Sequence, residues 1–408
     1  MPKVKVKPYI PPSWKNKAIN KKYSLQFLPE EMSDLSKIKK LSFDGKNLKS
    51  EYLIDIIHHL ILRYYFKKEN IFPLYSPILK EKYGYLYNYY IKYLVNRGYL
   101  VLSKNYLKGS NSRLYSLSKN ILSGKINRYR NYDKFLLKKY NDKHLISEFE
   151  NSKLIENDVK VKLIEDLEKV TIQYDKAIFY LDALSNKEGE IYERNLYSVE
   201  SIKENHIFYH FDVYGRFHTN FTILKSFIRK NCLLIDSEET CEIDIPNSQP
   251  FFLAKIMNDS KSHWIKNDEL ELFTYLVRNG LYYQYLVDNL NLKDKSEAKD
   301  LTYKVLFGKN YSTCTADKKF IKLFPSIHTY IKLYKKEHGN YRILSHHLQK
   351  LESQLVFNGI GKTLMNLYPD LSWITVHDSL IIGKSNRDKV KVIFDQYLEE
   401  LWKLEINI

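Results

Sequence analysis

The chain has 408 residues, 44% hydrophobic and 28% charged, a balance that excludes wholesale disorder and gives room for two or three globular domains. Its 65 Lys and Arg against 48 Asp and Glu leave a net charge of +17. That excess favours a polyanionic partner, because each phosphate contact releases counterions, although a lysine-rich compositional bias supplies part of it. Cys232, Cys241 and Cys314 are scattered, with no Cys-x-x-Cys pair, which argues against a disulfide framework or a structural zinc site and fits a reducing compartment.

Residues 1–48 read as a basic arm. The opening MPKVKVKPYIPPSWKNK lacks the apolar stretch of a secretory signal. No apolar run in the chain approaches the roughly 20 residues of a bilayer span. A cytoplasmic protein with no membrane partner is the expectation. Within residues 49–118, EYLIDIIHHLILRYYF carries apolar positions at helical spacing. Pro77 opens a short helix ending near Gly84, and YLYNYYIKYLVNRG closes at Gly98, a residue suited to the left-handed turn after a helix. YLVLSKNYL and SRLYSLS then flank KGSNS as a β-hairpin. Three helices followed by a hairpin resemble a winged helix-turn-helix module. The resemblance implies major-groove contacts from Tyr89, Lys92, Tyr93 and Asn96, and backbone contacts from Lys104, Lys108 and Arg113 on the wing. Modules of this shape also serve as docking or purely structural domains.

Residues 119–206 combine a basic, tyrosine-rich linker with a helical region. There VKVKLIEDLEKVTIQYDKAIFYLDAL repeats an apolar stripe, suited to a core or to a helical thumb. From Ile207 strands alternate with helices, which indicates an α+β or mixed α/β domain.

Three segments in that last region carry chemistry. In Thr240-Cys-Glu-Ile-Asp-Ile-Pro-Asn-Ser-Gln, Asp244 ends an apolar strand just before a helix, where it either aims into a cleft or caps the helix. In Trp373-Ile-Thr-Val-His-Asp-Ser-Leu-Ile-Ile-Gly, His377 and Asp378 form a polar tip between two apolar strands, and burying them is costly without a partner or a cation. Between these, Lys295, Lys299, Tyr303 and Phe307 recur at four-residue steps and share one helical face. Two cations followed by two aromatic rings suit a triphosphate with a stacked base; a solvated amphipathic face is the bland reading.

Together these residues resemble the superfamily of family A DNA polymerases and phage-type single-subunit RNA polymerases. Asp244 matches the metal-binding Asp of motif A, and His377-Asp378 matches motif C. Lys295, Lys299, Phe307 and Gly308 follow the spacing of motif B, with Lys295 where Arg is usual. Phe211-Asp-Val-Tyr-Gly-Arg-Phe-His-Thr resembles the element that precedes motif A, with Arg216 and His218 as its polar members. The resemblance implies an α+β right-hand polymerase with a palm of antiparallel sheet and helical fingers and thumb, spanning residues 207–408. It further implies DNA template and primer, nucleoside triphosphates and two Mg2+ ions, with Mn2+ able to substitute. Asp244 and Asp378 would hold metal, and Lys299 would act in catalysis. Lys295, Lys299, Tyr303, Phe307 and Gln249 would bind the nucleotide, and Arg216, His218, Arg229, Gln354 and His377 the primer-template. Lys92 and Arg113 would add DNA contacts from the first module.

The phenyl ring of Phe307 and the bulk of Gln249 favour deoxynucleotides, whereas His-Asp-Ser is common in the RNA enzymes. No proofreading exonuclease is recognisable before the polymerase region. A single-subunit RNA polymerase, a template-independent nucleotidyltransferase and a non-catalytic replication initiator remain the alternatives.

Overall fold

The computed structural model describes residues 22–104, 113–140, 158–185, 189–212, 214–260, 262–310 and 314–403. They form a mixed α+β protein, mostly helical with several small antiparallel sheets. The chain divides into two compact units, residues 1–154 with 178–206, and residues 155–177 with 207–408.

The first unit is built around the helix Ser50–Lys67. Leu53, Ile54, Ile57, Leu60 and Ile61 are all buried on it. A helix apolar over so much of its surface must be covered on several sides. Strand Ser24–Pro29 supplies one cover and pairs antiparallel with Ile126–Asn131, Ser24 opposite Asn131. From Ser24 onward the presumed basic arm is therefore part of a folded core. Contacts to the helix hold it there: Gln26 donates to the buried Asp55 carboxylate at 2.7 Å, and the Phe27 amide donates to His58 Nδ1 at 2.9 Å. A second hairpin, Lys40–Phe43 with Lys46–Lys49, turns through Asp44 and Gly45, both at positive φ (51° and 68°). Asp-Gly is the dipeptide such a two-residue turn demands. Helices Ser76–Tyr83 and Tyr87–Asn96 and strands Leu100–Lys104 and Leu114–Leu117 follow in the expected order. Strand Phe72–Pro73 adds a third strand beside Leu114–Leu117. Lys108 lies outside the described residues.

The second unit centres on a five-stranded antiparallel sheet in the order Trp373–Val376, Ser379–Gly383, Glu238–Ile243, Leu233–Ile235, Val170–Ile172. The long helix expected around residue 170 is interrupted. A helix over Asp158–Asp166 gives way to the strand Val170–Ile172, and a helix resumes at Tyr174–Ser185. Val-Thr-Ile is a β-branched run that suits a strand better than a helix. The buried Asp166 carboxylate anchors the break, accepting from Lys162 at 2.7 Å, Lys169 at 3.0 Å and the Trp373 amide at 3.1 Å. No helix among the described residues is long and apolar enough to cross a membrane.

Helices surround this sheet. One of them, Ile343–Gln354, continues through a π-helical segment, Leu355–Ile360, into Gly361–Leu367. An added Cβ at Gly361 would lie 2.7 Å from Val159 Cγ1 and 2.9 Å from Trp373 Cη2. Both neighbours are buried and cannot yield freely. Gly361→Ala is expected to lower stability by about 1–3 kcal/mol, seen as a lower midpoint in thermal or urea unfolding. An unchanged midpoint would contradict this packing.

Candidate active site

Strand register brings Asp244 and Asp378 to the same end of the five-stranded sheet. Ile243 lies opposite Leu380, Asp244 follows Ile243, and Asp378 precedes the strand that starts at Ser379. The hairpin closes with Val376 opposite Ser379, so His377 and Asp378 form the whole turn. His377 takes φ 57°, a left-handed conformation that costs a non-glycine residue about 1–3 kcal/mol. Asp244 is exposed and Asp378 is partly buried. Burial holds the Asp378 carboxyl above the usual carboxylate range, and the nearby Asp244 charge raises it further. Its own backbone amide, the Ser248 hydroxyl and the Lys299 charge oppose this.

Lys299 and its neighbours come from the helix Lys295–Phe307, which forms over the expected residues. Its two ends are fixed by different means. The Asp294 carboxylate accepts from the Glu297 amide at 2.9 Å as an N-cap. At the other end the buried Lys335 ammonium donates to the carbonyls of Val305 (2.9 Å) and Gly308 (3.0 Å). The Lys299 ammonium sits 5.6 Å from the Tyr303 ring, and the Tyr303 and Phe307 rings are 5.3 Å apart. Burial pushes the Tyr303 hydroxyl up to about 12, with the charges of Asp378 and Glu352 adding to it. Tyr283 is raised for the same principal reason and also feels Asp378. Lys295 is exposed at the first turn of the helix and forms no ion pair with a described residue.

A group the sequence reading overlooks organises the site. Glu352, 1% exposed, accepts from Arg216 Nη2 at 2.7 Å, Ser248 Oγ at 3.0 Å and Gln249 Nε2 at 2.5 Å. Ser248 also lies near Asp378, whose ionised form its hydroxyl favours. Burial pushes the Glu352 carboxyl up to about 7, helped by the Asp378 charge and opposed by Arg216 and Ser248. Gln354, the residue chosen from sequence on this helix, is exposed at its end. The signal for Glu352 was available: it shares the buried stripe of Leu348, Leu351 and Leu355, where an unpaired acid is costly.

The remaining sites divide. Arg216 and Gln249 both turn toward Glu352. His218 pairs with Asp212 at 3.0 Å, and its ring lies 5.9 Å from that of His377. Burial lowers His377 to about 4, and the Arg216, His218 and Arg229 charges reinforce that, so its imidazole is neutral near pH 7. Arg229 is engaged internally, paired with Glu242 and donating to the Leu224 carbonyl at 3.2 Å. Four buried polar atoms here have no hydrogen-bond partner among the described residues: Arg216 Nε, Gln249 Oε1, Ser353 Oγ and His377 Nδ1. Unsatisfied groups of this kind are rare in native interiors and are expected where a ligand or water completes the set. Lys92 and Arg113 belong to the first unit, where both are exposed.

The raised Glu352 carboxyl has a consequence for stability. It retains its proton up to about pH 7 in the fold but releases it near 4.5 in the unfolded chain. Its stabilising contribution is therefore complete below pH 4.5 and lost as pH rises through 7. In divalent-free buffer, Glu352→Gln should remove that fall, on the order of a few kcal/mol, from urea-unfolding curves between pH 4.5 and 7. Parallel pH profiles for the two proteins would contradict it. No protein-family model matches the chain, and no curated protein matches its sequence.

Proposed function

We propose that the second unit is a template-directed nucleotidyltransferase of the single-subunit right-hand polymerase type, a family A-like DNA polymerase without proofreading, which extends a nucleic-acid 3′ end. One observation carries the reading. Strand register sets Asp244 and Asp378 at one end of one sheet, and Lys299 and Tyr303, on one helical face from a third segment, lie near enough to Asp378 for their charges to be felt.

The donor set fits a divalent cation. Asp378 is a carboxyl whose ionisation is opposed by burial and by Asp244, and no Lys or Arg among the described residues forms an ion pair with either. A cation would relieve that repulsion. No group of three or more His, Cys, Asp or Glu among the described residues could hold a metal by itself. Two carboxylates with the rest of the shell left to phosphate oxygens and water is the pattern Mg2+ favours. Bound there, Mg2+ would lower the pKa of a primer 3′-hydroxyl and neutralise the leaving pyrophosphate.

The chain's own groups supply the rest. Lys299 brings a positive charge to a triphosphate beside Asp378, where low dielectric strengthens it. Tyr303 and Phe307 present adjacent rings against which a base or sugar can pack. Phe307 offers a ribose 2′-hydroxyl no hydrogen bond, which supports deoxynucleotides. Glu352 keeps Arg216, Ser248 and Gln249 in fixed positions, and neutral His377 leaves Nδ1 available to accept or donate a hydrogen bond.

The test is incorporation of labelled dNTPs, and separately NTPs, on primed and unprimed templates with Mg2+. Primed, template-dependent dNTP incorporation is expected, falling at least about 100-fold in Asp378→Asn and in Asp244→Asn. No incorporation by the unaltered protein under any condition would overturn the reading. Extension without template would instead identify a template-independent transferase.

A further inference from the structure

The first unit carries an open cavity of about 1020 Å³, lined by helices Ser76–Tyr83 and Tyr87–Asn96, the hairpin strands Leu100–Lys104 and Leu114–Leu117, and their neighbours. Its lining includes Tyr75, Tyr87 and Tyr89 together with Lys92 and Arg113, over a floor that contains the buried Tyr115. The described lining residues include no Asp or Glu. From this geometry we propose that the groove binds single-stranded nucleic acid, with unpaired bases stacking on its tyrosines and phosphates meeting its cations.

Shape decides against duplex reading by this helix. A recognition helix must project its outer face into a major groove about 12 Å wide. Here Tyr89, Lys92 and Asn96 line a concavity whose other walls are the Tyr75–Leu79 segment and the hairpin residues Leu102 and Arg113. Tyr93 is no contact candidate at all, since it is buried. A duplex has no exposed base faces to offer a ring, whereas every unpaired base has one. The cavity volume lies at the top of the ~300–1,000 Å³ range of sites that enclose small ligands, the scale of a few nucleotides.

The electrostatics agree. The Lys92 and Lys46 ammoniums lie 5.3 and 6.0 Å from the centre of the Tyr89 ring. A base on Tyr89 would therefore have cations within reach of its flanking phosphates. Among the described residues Lys92 is held otherwise only by a 3.8 Å contact to Asp44, with both side chains more than half exposed. An ion pair of that kind is weak and easily exchanged for a phosphate. The proposal concerns the first unit alone and stands or falls separately from nucleotidyl transfer in the second.

The test uses the full chain without Mg2+ or nucleotide, and fluorescence anisotropy with labelled oligo(dT), an abasic strand of equal length and a matched duplex. The Tyr87→Ala, Tyr89→Ala double variant should bind oligo(dT) about tenfold or more weakly, while the corresponding Phe variant binds as the unaltered protein does. The abasic strand should bind the unaltered protein about as weakly as oligo(dT) binds the Ala variant. Because both tyrosines also pack against the core, the exposed Lys92→Ala supplies an independent arm. It should reduce the salt dependence of oligo(dT) binding by close to one counterion. Unchanged oligo(dT) affinity in the Ala variant, equal loss in the Phe variant, an unchanged salt slope in Lys92→Ala, or duplex bound as tightly as oligo(dT) would each overturn the proposal.

Discussion

The second unit depends on holding two like-charged side chains at one sheet end. Antiparallel pairing of Glu238–Ile243 with Ser379–Gly383 forces this. A one-residue slip would carry every side chain of the strand to the opposite face and break the close packing of Leu380, Ile381 and Ile382, all fully buried. The hydrophobic core thus sets the separation of Asp244 and Asp378, while the acidic pair contributes repulsion. A strained turn at His377 adds to the cost. Folding tolerates both because the apolar strands on either side of the turn over-determine its position.

Glu352 distributes that burden. Arg216 lies in the turn between the short strands Tyr209–Phe211 and Phe217–Thr219, Ser248 and Gln249 open the helix after Asp244, and Glu352 sits near the C-terminal end of the helix Ile343–Gln354. All three donors meet its carboxylate, so segments remote in sequence share one buried polar network. Such a network specifies a unique arrangement when its members are satisfied and is expensive when they are not. The unpaired atoms on Arg216, Gln249 and His377 leave it incomplete on one side, consistent with a surface arranged for something outside the chain.

Much of this was legible in the sequence, and the misses have physical causes. The His377-Asp378 turn and the helix from Lys295 follow from periodicity and capping, which are local. The Lys40–Lys49 hairpin is equally local, with the Asp44-Gly45 dipeptide as its turn signal. Val170–Ile172 reads as part of a helical stripe because three β-branched residues are too short a run to outweigh their helical flanks; pairing with Leu233–Ile235 makes it a strand. Non-local contacts of this kind carry no sequence signature. The discontinuous boundary, with residues 155–177 in one unit and 178–206 in the other, is invisible for the same reason. The polymerase resemblance points to Gln354, whereas burial of the surrounding leucines marks Glu352, two residues earlier.

In the proposed function Asp244 and Asp378 act as one cation-binding unit. Mn2+ binding, followed by loss of the free-ion electron paramagnetic resonance signal, tests it most directly. The unaltered protein should bind Mn2+ saturably, and Asp244→Asn and Asp378→Asn should each abolish that binding while remaining folded. Undiminished Mn2+ uptake in either variant would contradict the claim.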